Sequence, residues 1–366
     1  MNDVDLGRDG GILDDLAAMG RSDPEGMLAQ VATFPDQVSA AWAMSRDLKM
    51  PLEQPSSVAV LGMGGSAIGG DLVRGIWSDR LTAPVEVVRG YDLPAWVGKD
   101  TLVIASSKSG ATEETISALG AALERRCPVA VLTTGGPMKG VAEKTGLTLA
   151  TFPSEGTPRS SVGYSMGLLA GMLERAGILE LDDAEIEAAT AVARETAARC
   201  GPDVPTSENL AKQLAWSLVD RYPIVEAGSF LGPVARRWKA QLNENGKTTA
   251  AFEELPEATH NTVVGYEQPE SLRDQLFVVF LDSTLDHPRN SMRASLIRDV
   301  LDTGHISHEV VQAEGESRLA HALSTIVVGD YVSVYVAFTY AIDPSPVAVI
   351  DHIKEQLAMA DSAAAE

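Results

Sequence analysis

Ser57–Gly62 (SVAVLG) is an unbroken apolar run that ends in a glycine-rich turn, and the same kind of unit then recurs along the chain. Strands buried on both faces carry continuous apolar runs, and parallel strands need long, usually helical, crossovers. This repetition therefore constrains the fold more than any other feature. Val85–Arg89, Thr101–Ser106 and Pro128–Thr133 read as further strands, with a short fifth at Thr148–Phe152. Helical stretches lie between them at Ala67–Trp77, Thr112–Arg126 and Met138–Thr145. After a linker-like Gly201–Ser207 (GPDVPTS) the alternation restarts. Helices Ser207–Leu218 (with Ser207 placed to cap it), Val234–Asn243 and Asn290–Thr303 alternate with strands Pro223–Ala227, Leu276–Leu281 and His308–Gln312. The expected architecture is α/β, two doubly wound parallel-sheet halves with flanking helices.

With 366 residues, the chain has room for two such units. The pattern divides it into a helical segment over 1–44, a first α/β domain over 45–182, a linker helix over 183–206 and a second α/β domain with a C-terminal helix over 207–366. In the first segment Leu28, Val31, Phe34, Val38 and Trp42 recur at helical spacing, behind an opening up to about Gly11 that reads as frayed. The acidic run Leu181–Glu195 reads as a solvated helix face. Leu319–Ala341 is long and apolar, but Ser324, Thr325, Gly329, Asp330 and Ser333 interrupt it, so a buried core helix is expected and no membrane span.

Charge removes several classes of function. Lys and Arg total 29 against 51 Asp and Glu, a net charge of −22, which argues against nucleic acid as a partner. Cys127 and Cys200 are too few for a disulfide framework or a cysteine zinc site, and the six histidines show no HExxH or HxH spacing, so no metal is expected. The acidic opening lacks a secretory apolar segment, and a cytoplasmic location is the expectation.

Two loops point to a phosphate. Gly62–Gly70 (GMGGSAIGG) follows a strand and leads into a helix N-terminus, where free N–H groups and a partial positive charge favour an anion. It also fits the glycine pattern of a dinucleotide fold, which expects an acidic residue at the end of the second strand; Arg89 stands there instead. The second loop is Ser107-Lys108-Ser109-Gly110-Ala111-Thr112-Glu113-Glu114-Thr115, in which three hydroxyls within six residues can donate to phosphate oxygens without bulk positive charge. Simple helix capping is the competing reading, but Thr115 occupies the place where a capping box needs Glu or Gln.

These loops, the βα alternation, and the second-half stretches Gln241–Asn245 (QLNEN), Glu254–Asn261 (ELPEATHN) and Ala341–Pro346 running to Lys354 resemble the bifunctional phosphoglucose/phosphomannose isomerase family, built of two sugar isomerase (SIS) domains. The likeness runs from about Gly26 to Leu357, and is to the actinobacterial type of member. It implies an aldose–ketose isomerase interconverting glucose 6-phosphate and mannose 6-phosphate with fructose 6-phosphate through an enediolate, without metal or organic cofactor.

The resemblance also implies roles for particular residues. Gly65, Ser66, Ser107, Ser109 and Thr112 would hold the phosphate of a hexose phosphate. Glu244, flanked by Asn243 and Asn245, would be the base that moves the proton between C2 and C1, the flanking amides positioning its carboxylate. Arg159, at the start of a helix behind Pro158, would hold the enediolate charge through a guanidinium that stays ionised. His260 would open the sugar ring, supplied across the interface of a homodimer, and imidazole titrates in the right range for that task. Lys354 would assist at the ring oxygen. Val347 stands where conventional phosphoglucose isomerases carry a polar Gln, which would relax discrimination at C2. Lys108 and Ala111 depart from the family pattern, Lys108 reading either as added phosphate charge or as a solvent-facing side chain. A SIS-type sugar-phosphate sensor without catalysis shares the phosphate loops and remains the alternative; an NAD-dependent oxidoreductase fits the second loop poorly.

Overall fold

The computed structural model describes residues 11–364. The opening expected to be frayed, 1–10, lies outside the described residues. After a 3-10 turn the chain forms α1 (Leu16–Ser22), α2 (Met27–Ala32) and α3 (Phe34–Ser45). The first α/β unit follows: β1 (Ser57–Leu61), α4 (Gly64–Ile76), β2 (Val85–Val88), β3 (Thr101–Ser106), α5 (Glu113–Glu124), β4 (Val129–Thr133), α6 (Gly136–Thr145), β5 (Thr148–Thr151) and α7 (Val162–Arg175). All its pairings are parallel, in the order β2-β1-β3-β4-β5. The sheet thus reverses direction of growth between β1 and β3, the crevice at which open α/β sheets take ligands.

Next come α8 (Asp183–Cys200) and the second unit: α9 (Leu210–Ser217), β6 (Tyr222–Gly228), α10 (Gly232–Glu244), β7 (Ala251–Leu255), α11 (Thr262–Gly265), β8 (Leu276–Asp282), α12 (Pro288–Thr303) and β9 (Ser307–Gln312). Its sheet is also parallel, ordered β7-β6-β8-β9. Then α13 (Arg318–Thr339) and α14 (Ala348–Ala364) close the chain. Strand β7 is absent from the sequence expectation because its Ala-Phe-Glu-Glu-Leu lacks an apolar run; it is an edge strand, half-buried along most of its length. Ser207 does not cap α9. It lies in a 3-10 turn, and Asn209 caps instead, its side chain accepting from Lys212 N.

One large apolar core joins the inner faces of both sheets through α3, α4, α7, α8, α10 and α13, and smaller cores back each sheet on its outer side. Close helix packing sets this core. Gly163, Gly167 and Gly171 form a stripe on α7, and a Cβ on each would stand 2.7, 2.7 and 1.9 Å from α3 atoms. Any larger residue there would push α3 away. α13 is buried almost end to end, which explains its membrane-like hydropathy in the sense expected from the sequence. The acidic run before and within α8 does more than face solvent: Asp182 caps α8, Asp183 accepts from Trp42 Nε1 at 2.6 Å, and Glu185 pairs with Arg80 at 2.7 Å.

Candidate active site

Helix α4 starts at Gly64, inside the glycine loop and three residues earlier than expected, because the extended Met63 already serves as its cap. Gly65 lies against the Pro158–Arg159 segment: a Cβ there would fall 2.7 Å from the Pro158 carbonyl oxygen. Only glycine permits this approach. Next in line, Ser66 Oγ accepts a 3.3 Å hydrogen bond from the backbone N–H of Lys108. The glycine loop therefore touches both the hydroxyl loop after β3 and the loop before α7.

Within the hydroxyl loop, Ser107 Oγ lies 2.8 Å from Thr112 Oγ1 and 3.5 Å from Ser109 Oγ. Thr112 is the N-cap residue of α5, yet its side chain caps no backbone N–H. The three hydroxyls are thus gathered at the C-terminal end of β3, with Ser109 Oγ also accepting from the Ala111 N–H at 3.2 Å, and Thr112 is not spent on capping α5. Gly110 makes the turn at φ +62°, where a Cβ would stand 1.9 Å from the Gly135 carbonyl oxygen.

Neither reading of Lys108 made from the sequence describes it. Its ammonium donates to the carbonyls of Glu155 (2.8 Å), Gly156 (2.6 Å) and Thr157 (3.3 Å), and to Ser161 Oγ (2.7 Å). It ties the loop before α7 to the hydroxyl loop. Burial pulls its pKa down to about 8, with the Glu155 carboxylate opposing.

Arg159 is not at a helix start; it sits in a turn ahead of Ser161, the cap of α7. The side chain is buried, with Nε donating to Asn245 Oδ1 at 2.5 Å and Nη2 to the carbonyls of Pro344 (2.9 Å) and Ser345 (2.7 Å). Its Nη1 faces Glu244 Oε2 at 3.8 Å. Burial lowers the Arg159 pKa and the Glu244 carboxylate offsets this; a guanidinium stays charged under such a shift. Glu244 is the last residue of α10, with 31% of its side chain exposed. The flanking amides do not hold its carboxylate. Asn243 Nδ2 donates to the Thr248 carbonyl, and Asn245 spans Arg159 and Ser333.

Glu244 and Arg159 open onto one cavity of about 130 Å³, and Gly64 and Gly65 form part of its wall. The cavity thus reaches the glycine loop, whose Ser66 is bonded to the hydroxyl loop. His260 and Lys354 lie outside it. His260, itself exposed, ends the 3-10 turn Glu257–His260, which Ala258 anchors in the core, and Lys354 is exposed on α14.

A second buried layer escaped the sequence reading. Arg237 pairs with Asp330 at 2.6 Å, both almost fully buried, and Gln241 Nε2 donates to the other Asp330 oxygen at 2.9 Å. The Arg237 guanidinium also donates to the Arg159 carbonyl at 3.1 Å, so this network fixes the backbone of Arg159. Lys247 donates to the carbonyls of Glu244 and Pro344, and burial followed by the charge of Arg159 lowers its pKa. Asp330 was visible in the sequence only as an interruption of an apolar run, and a charge within such a run is itself a signal of a buried partner.

Residues 207–357 match the profile of the bacterial phospho-glucose isomerase C-terminal SIS domain. The chain is 39% identical over 335 residues to a bifunctional phosphoglucose/phosphomannose isomerase of Caldicellulosiruptor bescii, covering 91% of this chain and 99% of that protein. A protein of the same name from Aquifex aeolicus is 32% identical over 85% of this chain and 93% of its own length. Among solved structures, a glucose-6-phosphate isomerase like protein from Thermus thermophilus superposes with a TM-score of 0.63 at 18% identity, covering 94% of this chain and 98% of that one. That likeness speaks for the fold.

Proposed function

Because the chain belongs to the bifunctional phosphoglucose/phosphomannose isomerase family, we propose that it interconverts glucose 6-phosphate and mannose 6-phosphate with fructose 6-phosphate, with no metal. One observation carries the reading: a carboxylate and a buried guanidinium, Glu244 and Arg159, share a cavity that reaches the glycine loop beside the gathered hydroxyls.

The phosphate sits at the helix N-terminus of α4, among Gly65, Ser66, Ser107, Ser109 and Thr112, and the sugar extends toward Glu244. Glu244 removes the proton from C2 of the open-chain aldose. The electron pair forms the C1–C2 double bond of an enediolate, whose charge falls on the sugar oxygens and is held by Arg159. Returning the proton to C1 gives the ketose; returning it to either face of C2 gives the two epimeric aldoses.

His260 opens the ring from the neighbouring subunit of a homodimer, and Lys354 assists at the ring oxygen. Two observations support an assembly of this kind. Among the described residues the His260 side chain takes no hydrogen-bond partner in its own chain, and two helices carry exposed apolar stripes: Met292, Leu296 and Val300 on α12, and Ile350, Ile353 and Leu357 on α14. Packing those stripes against a second copy would bury Lys354 and His260 toward the sites.

The test is a turnover assay from fructose 6-phosphate in the presence of EDTA. Formation of both aldoses is expected. Binding without turnover would move the reading to a sugar-phosphate sensor.

A further inference from the structure

On the cavity wall shared with Glu244 stand two cations to which no role has yet been given, Arg89 at the end of β2 and Arg236 on α10. Both are drawn onto one buried carboxylate. Asp71, in α4, receives both terminal nitrogens of Arg89 and lies 3.5 Å from Arg236 Nη1. Arg236 is further held over the Phe252 ring, 5.5 Å from its centroid. Arg74 also reaches Asp71, but Glu86 balances it at 3.2 Å.

Four arginines, Arg89, Arg159, Arg236 and Arg237, line the cavity, and Glu244 is the one carboxylate among its lining residues; Asp71 and Asp330, which pair with three of the arginines, lie behind the wall. Two guanidinium groups oriented by one carboxylate form a fork suited to phosphate or carboxylate oxygens.

We propose that Arg89 and Arg236, positioned by Asp71, form a second anion subsite in the active-site cavity, which takes a hexose phosphate bearing a second phosphate at the end remote from the first. This inference rests on the proposed sugar-phosphate site: with one phosphate in the hydroxyl loop, the other end of the sugar lies in the cavity that the two arginines line. A hexose 1,6-bisphosphate bound there has its C1 oxygen esterified, so no C1 aldehyde can form or be released, and it acts as a dead-end inhibitor.

The test compares two non-reacting probes by calorimetry on the full chain: fructose 1,6-bisphosphate, and 1,5-anhydroglucitol 6-phosphate, which has no anionic group at C1. The wild-type protein is expected to bind the bisphosphate at least tenfold more tightly. The double change Arg89→Gln with Arg236→Gln should remove that advantage, while altering affinity for the monophosphate less than twofold. Arg236→Gln alone, at a half-exposed side chain, serves if the double variant fails to fold, and should remove at least threefold. Equal loss for both probes, or a wild-type protein that binds the bisphosphate no better, overturns the subsite while leaving the sugar-phosphate site standing. Binding of neither probe overturns both.

Discussion

Arg159 approaches Glu244 with a single nitrogen, Nη1 at 3.8 Å from Oε2, while its other nitrogens are bound to Asn245 and to the backbone at Pro344 and Ser345. A guanidinium held this way cannot swing to form a close two-pronged pair with the carboxylate. Glu244 therefore keeps an oxygen free, as the proposed base requires, and Nη1 is left for the oxyanion that the proposed enediolate would place between them.

Asn245 is the positioning residue in this arrangement, since it accepts from Arg159 Nε and donates to Ser333 Oγ at 3.0 Å. Asn245→Ala should reduce kcat by about tenfold to hundredfold through misplacement of Arg159, with a much smaller change in KM. Steady-state kinetics with fructose 6-phosphate give both numbers. An equal effect on KM, with kcat unchanged, would assign Asn245 to ground-state binding.

The buried Arg237–Asp330 pair predicts a large stability effect of one sign. Asp330→Asn removes the charge that compensates a buried guanidinium, and should lower unfolding free energy by about 3–5 kcal/mol in urea titrations. A loss under about 1 kcal/mol would mean that the pair is solvated in the native protein.

These two examples mark what the sequence carries. Strands β1, β3, β4 and β8 are legible because short continuous apolar runs alternating with helical stretches fit strands buried on both faces, and α13 because small polar residues break its hydropathy. Edge strand β7 is not legible, since half-burial leaves no apolar pattern. In the candidate site, Ser107, Ser109 and Thr112 stand out by their spacing on one strand-to-helix turn, whereas Ser66 is pointed to only by the family resemblance. Arg89, the neighbouring Arg236 and Arg237, and Asp330 lie about a hundred or more residues apart as three groups, and only the packing of β2, α4, α10 and α13 joins them. Ser207 illustrates the remaining failure: the sequence offers it as a cap, but it lies in a 3-10 turn, and the buried Asn209 caps α9 two residues later.

A pH dependence of stability follows from Glu226. Its carboxylate is buried in β6 and accepts from Tyr266 Oη at 2.5 Å, with burial pushing its pKa up from 4.5 to about 7 and the tyrosine hydrogen bond opposing. Between those values the folded state holds a proton that the unfolded chain has lost, so stability falls as pH rises from about 4.5 to about 7 and levels off above. Glu226→Gln retains an acceptor for Tyr266 and should flatten that slope. Urea midpoints measured at several pH values check it; an unchanged slope would place the titration elsewhere.

Transfer of hydrogen at C2 is the most direct measure of the central claim. Fructose 6-phosphate is incubated with the protein in D2O containing EDTA, and the aldoses are read by NMR, for the wild-type chain and for Glu244→Gln. The account predicts glucose 6-phosphate and mannose 6-phosphate, both carrying deuterium at C2, from the wild type. It predicts a rate lower by about 10² to 10⁴ from the variant, with sugar-phosphate affinity retained. Undiminished exchange in the variant would contradict it.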